Sequence, residues 1–587
     1  MDNGHNSRRG KPVLSNIPSL VCAFSSAATT GGTSYAFGLY AAALKKSLSL
    51  TQGQLDSIST AFFVAGLFSW IPGLCADRYG CKVAISMGGF CGAAVLMLYW
   101  AVAKQFIDVP HSLLVVVLST LGILIFLSCA LVTGAVFKTI VGMTGPGSRG
   151  SAVGAAKGYV GLGAGLYACL FGSFQTPGES ELDFLPMAAF FFITCASLPA
   201  LLLLPSKEAM DRSEISDEAT PRHFHTLYAS LLIMGGLIVV TSMLDLYSSV
   251  QIEAGAVSLE ETQNDTQLSR ALLLIAIWLG PIFALQFLPT KVQDTATSTG
   301  LMRIPTSEDE DDGIKLSRQE CQDDSTNDDE MPSATIEEDE AEQHQLLNSS
   351  SDTAPIQQPE QSQDLNLAQM LQTSSAWLML WTTTILVGAG TVLTNNMGQM
   401  VESLGFPDTV TAASLALFSV AQAMGRVMTG SVSEAMIKYT PRPLFLVFAS
   451  VLGFVSHGLL GVATSEIVFV AGATLAGIAF GMVWPLMVLI TGEVFGPANV
   501  GANYMFYDGF TSAAGTLLLT KIIAQDVYES HINPDSEDQT TCVGMACFQD
   551  THMAVAGFSL TCIVTSWAML YTTRHIYSAS GTLRSAH

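Results

Sequence analysis

Gly73-Leu74-Cys75-Ala76-Asp77-Arg78-Tyr79-Gly80-Cys81-Lys82 joins two apolar runs early in the chain, and Gly430-Ser431-Val432-Ser433-Glu434, followed by Lys438 and Arg442, joins two more near its end. Each loop places a glycine four residues before a carboxylate, with basic residues after it. A glycine there lets two helices approach closely. The carboxylate and the nearby cations can pair and latch one face of a helical protein shut. Two copies of one pattern, far apart in the chain, read as an internal repeat.

The runs around these loops are long and nearly free of charge. Of the 587 residues, 49% are hydrophobic and 13% charged, against about 25% charged in soluble domains. About 20 apolar residues span a bilayer core. Fourteen stretches qualify: 17–41, 56–76, 82–103, 113–137, 150–173, 185–204, 224–247, 270–289, 374–397, 410–430, 442–463, 466–490, 498–522 and 551–573. Backbone polar groups find no water in lipid, so each stretch is expected to be a helix. The first run is too long for a signal-peptide core and is expected to be an uncleaved span.

Lys and Arg set the orientation. With the N-terminus in the cytoplasm, 19 of the 25 basic residues fall on the cytoplasmic side. Lys45, Lys46, Lys104, Arg270 and Lys521 fall on or near the outer side, and Lys157 lies within a span. Both repeated loops are then cytoplasmic. The sequon Asn264-Asp265-Thr266 faces outward, where glycosylation is open to it. The sequon at Asn348 faces inward and is expected to stay unused. Cys542 and Cys547 flank a short segment in a polar loop, and a disulfide is expected there if the loop meets an oxidising compartment. Most other cysteines read as small buried hydrophobes.

The net charge of −24 belongs mainly to one segment, residues 290–372, with 20 acidic and 4 basic residues. That segment is too polar to bury a core and reads as a disordered cytoplasmic loop, not as the mark of a nucleic-acid partner. It contains Glu342-Gln343-His344-Gln345-Leu346-Leu347, an acidic dileucine pattern of the type read by sorting adaptors on routes to endosomes, lysosomes and vacuoles.

The paired loops resemble the loop motif of the major facilitator superfamily, which has one copy per six-helix half. The resemblance implies an all-α membrane protein of the major facilitator fold, two six-helix bundles plus two inserted helices, with about fourteen transmembrane helices. Its expected parts are a cytoplasmic tail (1–16), an N-terminal bundle (17–204), two inserted helices (205–289), the acidic loop (290–372), a C-terminal bundle (373–573) and a second cytoplasmic tail (574–587). An even insertion keeps both loops on one face. Four stretches are similar to the nodulin-like branch: Gly32 to Tyr40, Lys157-Gly158-Tyr159, Gly388 to Gln399, and Gly492-Glu493-Val494-Phe495-Gly496. The likeness extends to fungal homologues of monocarboxylate transporters, which share the acidic loop and the late cysteine pair. There are departures. Nodulin-like proteins often have Asp where Asn395 stands. Of three residues that couple protons to carboxylates in monocarboxylate transporters, only the Arg is matched, by Arg426; Leu39 and Gln422 replace a Lys and an Asp. Simple proton–carboxylate symport by that mechanism is therefore not expected.

An ionisable group inside the membrane costs roughly 2.5–3.5 kcal/mol on insertion scales and points to function by default. Lys157, about 10 Å into the fifth helix at 1.5 Å per residue, suits a substrate carboxylate, proton exchange, or a structural pair with an acid. Arg426 suits bidentate carboxylate binding or a gate lock through Glu434 or another acid. Asp508 is a coupling candidate, or a structural partner of Lys521 or Arg426. Asp245, Glu493 and His457 read as structural. By resemblance, the helices that open each half line the cavity, so Tyr35, Asn395, Asn396 and Gln399 are expected to shape it. Gly73, Asp77, Arg78, Gly430 and Glu434 form the expected cytoplasmic gate.

No Walker loop, Rossmann fingerprint or zincin helix stands in the sequence, so no cofactor, metal or enzymatic chemistry is expected. The favoured reading is a secondary active transporter of a small polar or anionic organic solute, monocarboxylate-like or amino-acid-like. It would sit in the plasma membrane or the vacuolar or lysosomal membrane, with protons as a candidate coupling ion. The alternative is a non-transporting receptor or scaffold that binds partners through the acidic loop.

Overall fold

The computed structural model describes residues 12–34, 37–145, 147–174, 180–253, 263–290, 364–532 and 542–579. Residues Met1–Val292 and Ser362–His587 form one compact unit, to which all that follows belongs. Tyr35, the Asn348 sequon and the dileucine residues Glu342, Leu346 and Leu347 lie outside the described residues, as do the side chains of Asn264 and Asp245.

The N-terminal bundle comprises α1 (Ile17–Ser34), α2 (Phe37–Ser47), α3 (Gln52–Val64), α4 (Trp70–Tyr79), α5 (Cys81–Ala103), α6 (His111–Met143) and α7 (Arg149–Phe174), then α8 (Phe184–Phe191) and α9 (Leu198–Leu203) joined by a π turn. A short α10 (Lys207–Arg212) leads to the inserted helices α11 (Pro221–Glu253) and α12 (Gln263–Ala284). The C-terminal bundle comprises α13 (Ser374–Ser403), α14 (Asp408–Ala435), α15 (Pro443–Gly461), α16 (Glu466–Val494), α17 (Val500–Gly515, continued by a π segment) and α18 (Ala546–Ala579).

Helix occupies each of the fourteen expected stretches, but apolarity alone does not identify all of them as spans. Among the described residues nine helices are long and apolar enough to cross a membrane, or ten if α3 and α4, bent by 45°, count as one. The helices that fall short include α1, α7, α14 and α17. They carry Gly, Ser, Thr or charged residues because they face other helices; α7, for example, buries Gly150, Gly154, Lys157 and Gly158. The bend between α3 and α4 falls at Gly66–Ser69, where the Ser69 hydroxyl donates to the Met505 carbonyl of the other bundle (2.6 Å). Small residues and a side chain turned out of the helical ladder are ordinary causes of a kink.

Two short strands, which the hydropathy pattern does not signal, pair in parallel: β1 (Val13–Ser15) and β2 (Glu214–Ser216), with Leu14 opposite Ile215. They tie the N-terminal tail to the segment after α10. Asn16 follows β1 and donates to the Met143 carbonyl (2.9 Å) and to Asp217 (2.8 Å). At the opposite face, Cys542 and Cys547 form a disulfide, and Lys104 pairs with Asp183 at 2.9 Å. His457 is buried against His552 (Nδ1 to Nδ1 3.1 Å) between α15 and α18.

The inserted helices lie beside α7, and α11 also meets α14 of the other half. Tyr228 of α11 spans that seam. Its hydroxyl donates to the Ser151 carbonyl of α7 (3.1 Å) and accepts from Ser431 of α14 (2.7 Å). A neutral hydrogen bond contributes about 1 kcal/mol, so Tyr228→Phe is expected to loosen this closure by about 1–2 kcal/mol. The check is hydrogen–deuterium exchange: protection should fall around Ser151 and Ser431 while α11 itself stays protected.

Candidate substrate site and cytoplasmic gate

The two bundles meet tightly at the face that the basic residues assign to the cytoplasm. Both repeated loops supply the contact. A Cβ placed on Gly430 would lie 2.5 Å from the Gly150 carbonyl oxygen and 2.5 Å from Gly154 Cα, so α7 and α14 touch backbone to backbone. Gly73 in α4 of the first half does the same against Gly501 and Ala502 of α17. In both cases a glycine of one half opens the way to the fifth helix of the other half.

The carboxylate four residues on then caps that same helix. Asp77 accepts from the N–H groups of Gly501 (3.1 Å) and Ala502 (2.7 Å), in the first turn of α17. Glu434 accepts from Gly147 (2.5 Å) and Gly150 (2.7 Å), at the start of α7. A helix N-terminus has unsatisfied N–H groups and a positive dipole end, so a carboxylate is favoured there. The loops therefore latch through helix caps as well as the ion pairs expected from sequence. The cations are Lys138 on Asp77 (2.5 Å) and Arg442 on Glu434 (2.5 Å). Arg442 is almost fully buried and also reaches Glu493 (2.5 Å) and Ser433 (2.6 Å); Tyr577 in turn donates to Glu493 (2.9 Å).

Three expectations need correction here. Arg78 is exposed and lies over the Tyr79 ring; Lys138 takes its place on Asp77, because α6 ends beside the loop while Arg78 points off the far side of α4. Arg426 does not lock Glu434, for Arg442 fills that position. Asp508 pairs with neither Lys521 nor Arg426 but with Lys157.

Above this gate, Lys157 and Arg426 come together from opposite halves. Lys157 of α7 is 1% exposed and Arg426 of α14 is 2% exposed. Lys157 Nζ donates to Asp508 of α17 at 2.9 Å and to the Tyr504 hydroxyl, which itself donates to the same Asp508 oxygen. The ammonium sits 4.5 Å from the Phe137 ring centroid, 4.8 Å from Trp484 and 4.9 Å from Tyr504. Arg426 donates to the Lys157 carbonyl (3.0 Å) and to Gln422 (3.0 Å), and its guanidinium carbon is 5.3 Å from the Trp484 ring centroid. Thr30, Thr133, Lys157, Arg426, Trp484 and Asp508 help line a small cavity of about 50 Å³.

Asn395, Asn396 and Gln399 do not line this cavity. Gly388 of α13 packs on Gly515 of α17, seven residues beyond Asp508, and Asn395 lies seven residues beyond Gly388. At 1.5 Å per residue the amides stand about 20 Å outward of Asp508. Asn395 and Gln399 are exposed there, and Asn396 donates to its own helix at the Val392 carbonyl (2.9 Å). Sequence reading passed over Lys138, Phe137 and Phe480. A lone Lys near the end of an otherwise apolar helix was a signal for the first; aromatic residues in apolar helices gave none for the others.

This architecture matches known proteins. Residues 19–260 match the Nodulin-like family model and residues 362–579 match the model for the NFD4 C-terminal domain. The chain is 23% identical over 556 residues to Protein NUCLEAR FUSION DEFECTIVE 4 of Arabidopsis thaliana, covering 93% of this chain and 87% of that protein. Among solved structures it is similar to the proton:xylose symporter XylE bound to 6-bromo-6-deoxy-D-glucose, with a TM-score of 0.52, 12% identity and coverage of 94% and 95%. It is also similar to the transporter FucP in the outward conformation, with a TM-score of 0.47, 12% identity and coverage of 94% and 98%. The fold, two related halves closed on each other at the paired loops, is the major facilitator fold of a multi-pass membrane protein. Within that fold, residues 19–260 form a nodulin-like domain.

Proposed function

We propose that this transporter moves a small organic anion by alternating access, with the anion held between Lys157 and Arg426. One observation carries the reading: among the described residues, two cations from opposite bundles and the carboxylate of Asp508 line one cavity. Two cations at one site favour a ligand that carries negative charge. Charged hydrogen bonds are worth most where water is excluded.

Asp508 is the coupling residue in this proposal. The Lys157–Asp508 pair joins α7 to α17 across the two bundles, so it parts when the cytoplasmic face opens. The Asp508 side chain is 18% exposed and that of Lys157 only 2%, so a proton arriving through the cavity reaches the carboxylate first. Protonated Asp508 releases Lys157 to the anion, and proton and anion travel together.

The test is uptake into proteoliposomes of monocarboxylates, amino acids and sugars, with and without an inward proton gradient. An anion should accumulate when the gradient is applied. In Asp508→Asn the gradient should lose its effect while exchange of labelled for unlabelled anion continues. Uptake of neutral sugars alone would rule out the anion site, and full gradient-driven accumulation by Asp508→Asn would rule out the coupling.

A further inference from the structure

Trp484 lies between the two cations. Both Lys157 Nζ and the Arg426 guanidinium stand over its ring, at 4.8 and 5.3 Å from the centroid. Phe480 packs edge-on against it at 5.6 Å. The residue is 2% exposed and belongs to the cavity wall. Both cations therefore meet the π system, whereas an indole N–H lies in the ring plane, at the edge. That Nε1–H is buried and meets no acceptor among the described residues. Tyr and Trp polar groups normally find a partner when buried, and an unmade buried hydrogen bond is costly.

We infer that the Trp484 N–H is a specificity donor for the bound anion, completing its hydrogen bond only when substrate is present. This rests on the anion reading above and deepens it. Lys157 and Arg426 take the negative group. Trp484, between them, takes a second oxygen close to that group, a hydroxyl or a carbonyl on the neighbouring carbon. The ligand class is thus a small anion with an adjacent oxygen acceptor, preferred over the same anion without it.

The experiment compares propionate with 2-hydroxypropionate as competitors of labelled anion uptake in proteoliposomes. Wild type should prefer the hydroxylated acid. Trp484→Phe keeps a ring beneath both cations and removes the N–H, so the preference should fall by roughly five-fold, the loss of one neutral hydrogen bond, with propionate affinity nearly unchanged. Trp484→His restores a ring N–H and should recover part of the preference. An equal loss for both acids in Trp484→Phe, or an unchanged preference, overturns the inference while leaving the anion site standing. Failure of wild type to bind either acid or any other anion overturns the anion reading itself. A merely structural Trp484 would alter protein yield and thermal stability but not the ratio between the two acids.

Discussion

Lys157→Ala is expected to lower anion uptake by about 30-fold to several-thousand-fold, the range that follows from losing one partner of a buried charge pair worth about 2–5 kcal/mol. The single variant removes the ammonium from three aromatic faces and from Asp508, so part of the effect is on folding. A buried charge left without its partner is strongly destabilising, by about 3–5 kcal/mol. A double variant separates the two roles. Lys157→Met with Asp508→Leu removes both charges, and such replacements of buried pairs are often neutral or stabilising. If the pair serves only the fold, the double variant should regain both stability and uptake. If Lys157 meets the substrate, stability returns but anion exchange without a gradient, which Asp508→Asn alone keeps, stays lost. Uptake and thermal unfolding of the purified protein, measured on all three forms, decide between them.

Gly430→Val is expected to hold the cytoplasmic face open. At this position a Cβ would meet the Gly150 carbonyl oxygen and the Gly154 Cα, both at 2.5 Å. These are backbone atoms and cannot swing aside as a side chain would. Overpacking of this kind costs typically about 1–3 kcal/mol, which shifts a two-state equilibrium roughly five- to 150-fold toward the state without the contact. The hydrogen bonds from Gly147 and Gly150 to Glu434 should be lost with it. Distances between spin labels on the cytoplasmic ends of α7 and α14 should lengthen, and uptake should fall because the outward-facing state is rarely formed. Unchanged distances would show that the helices slide to accommodate the methyl groups.

Much of this architecture was legible before any coordinates. Length and apolarity located the helical stretches, and the repeat of Gly73–Asp77 in Gly430–Glu434 divided the chain into halves. Lys157, Arg426 and Asp508 stood out because a charge in an apolar helix is expensive and so is rarely accidental. Their pairing was less legible. Lys157 and Asp508 are 351 residues apart, and either could have met several charges. The polar residues of α13 misled, because a helix that lines a cavity does so at one level and Asn395, Asn396 and Gln399 stand at another. Arg78 misled likewise, since adjacency in a motif does not say which side of the helix a residue takes.

By itself, then, the sequence determined that the chain spans a membrane with helices, in two related halves, with a few costly charges at its centre. Composition and period suffice for that, because lipid leaves the backbone no alternative to internal hydrogen bonding. Only the tertiary structure decided which charges meet. Asp77 found the first turn of α17, Glu434 that of α7, Arg442 rather than Arg426 joined Glu434, and Trp484 came to lie between Lys157 and Arg426. Those choices depend on which helix faces which and at what height. Both are set by backbone contact at Gly73, Gly150, Gly154 and Gly430, where the absence of a side chain lets the two halves close.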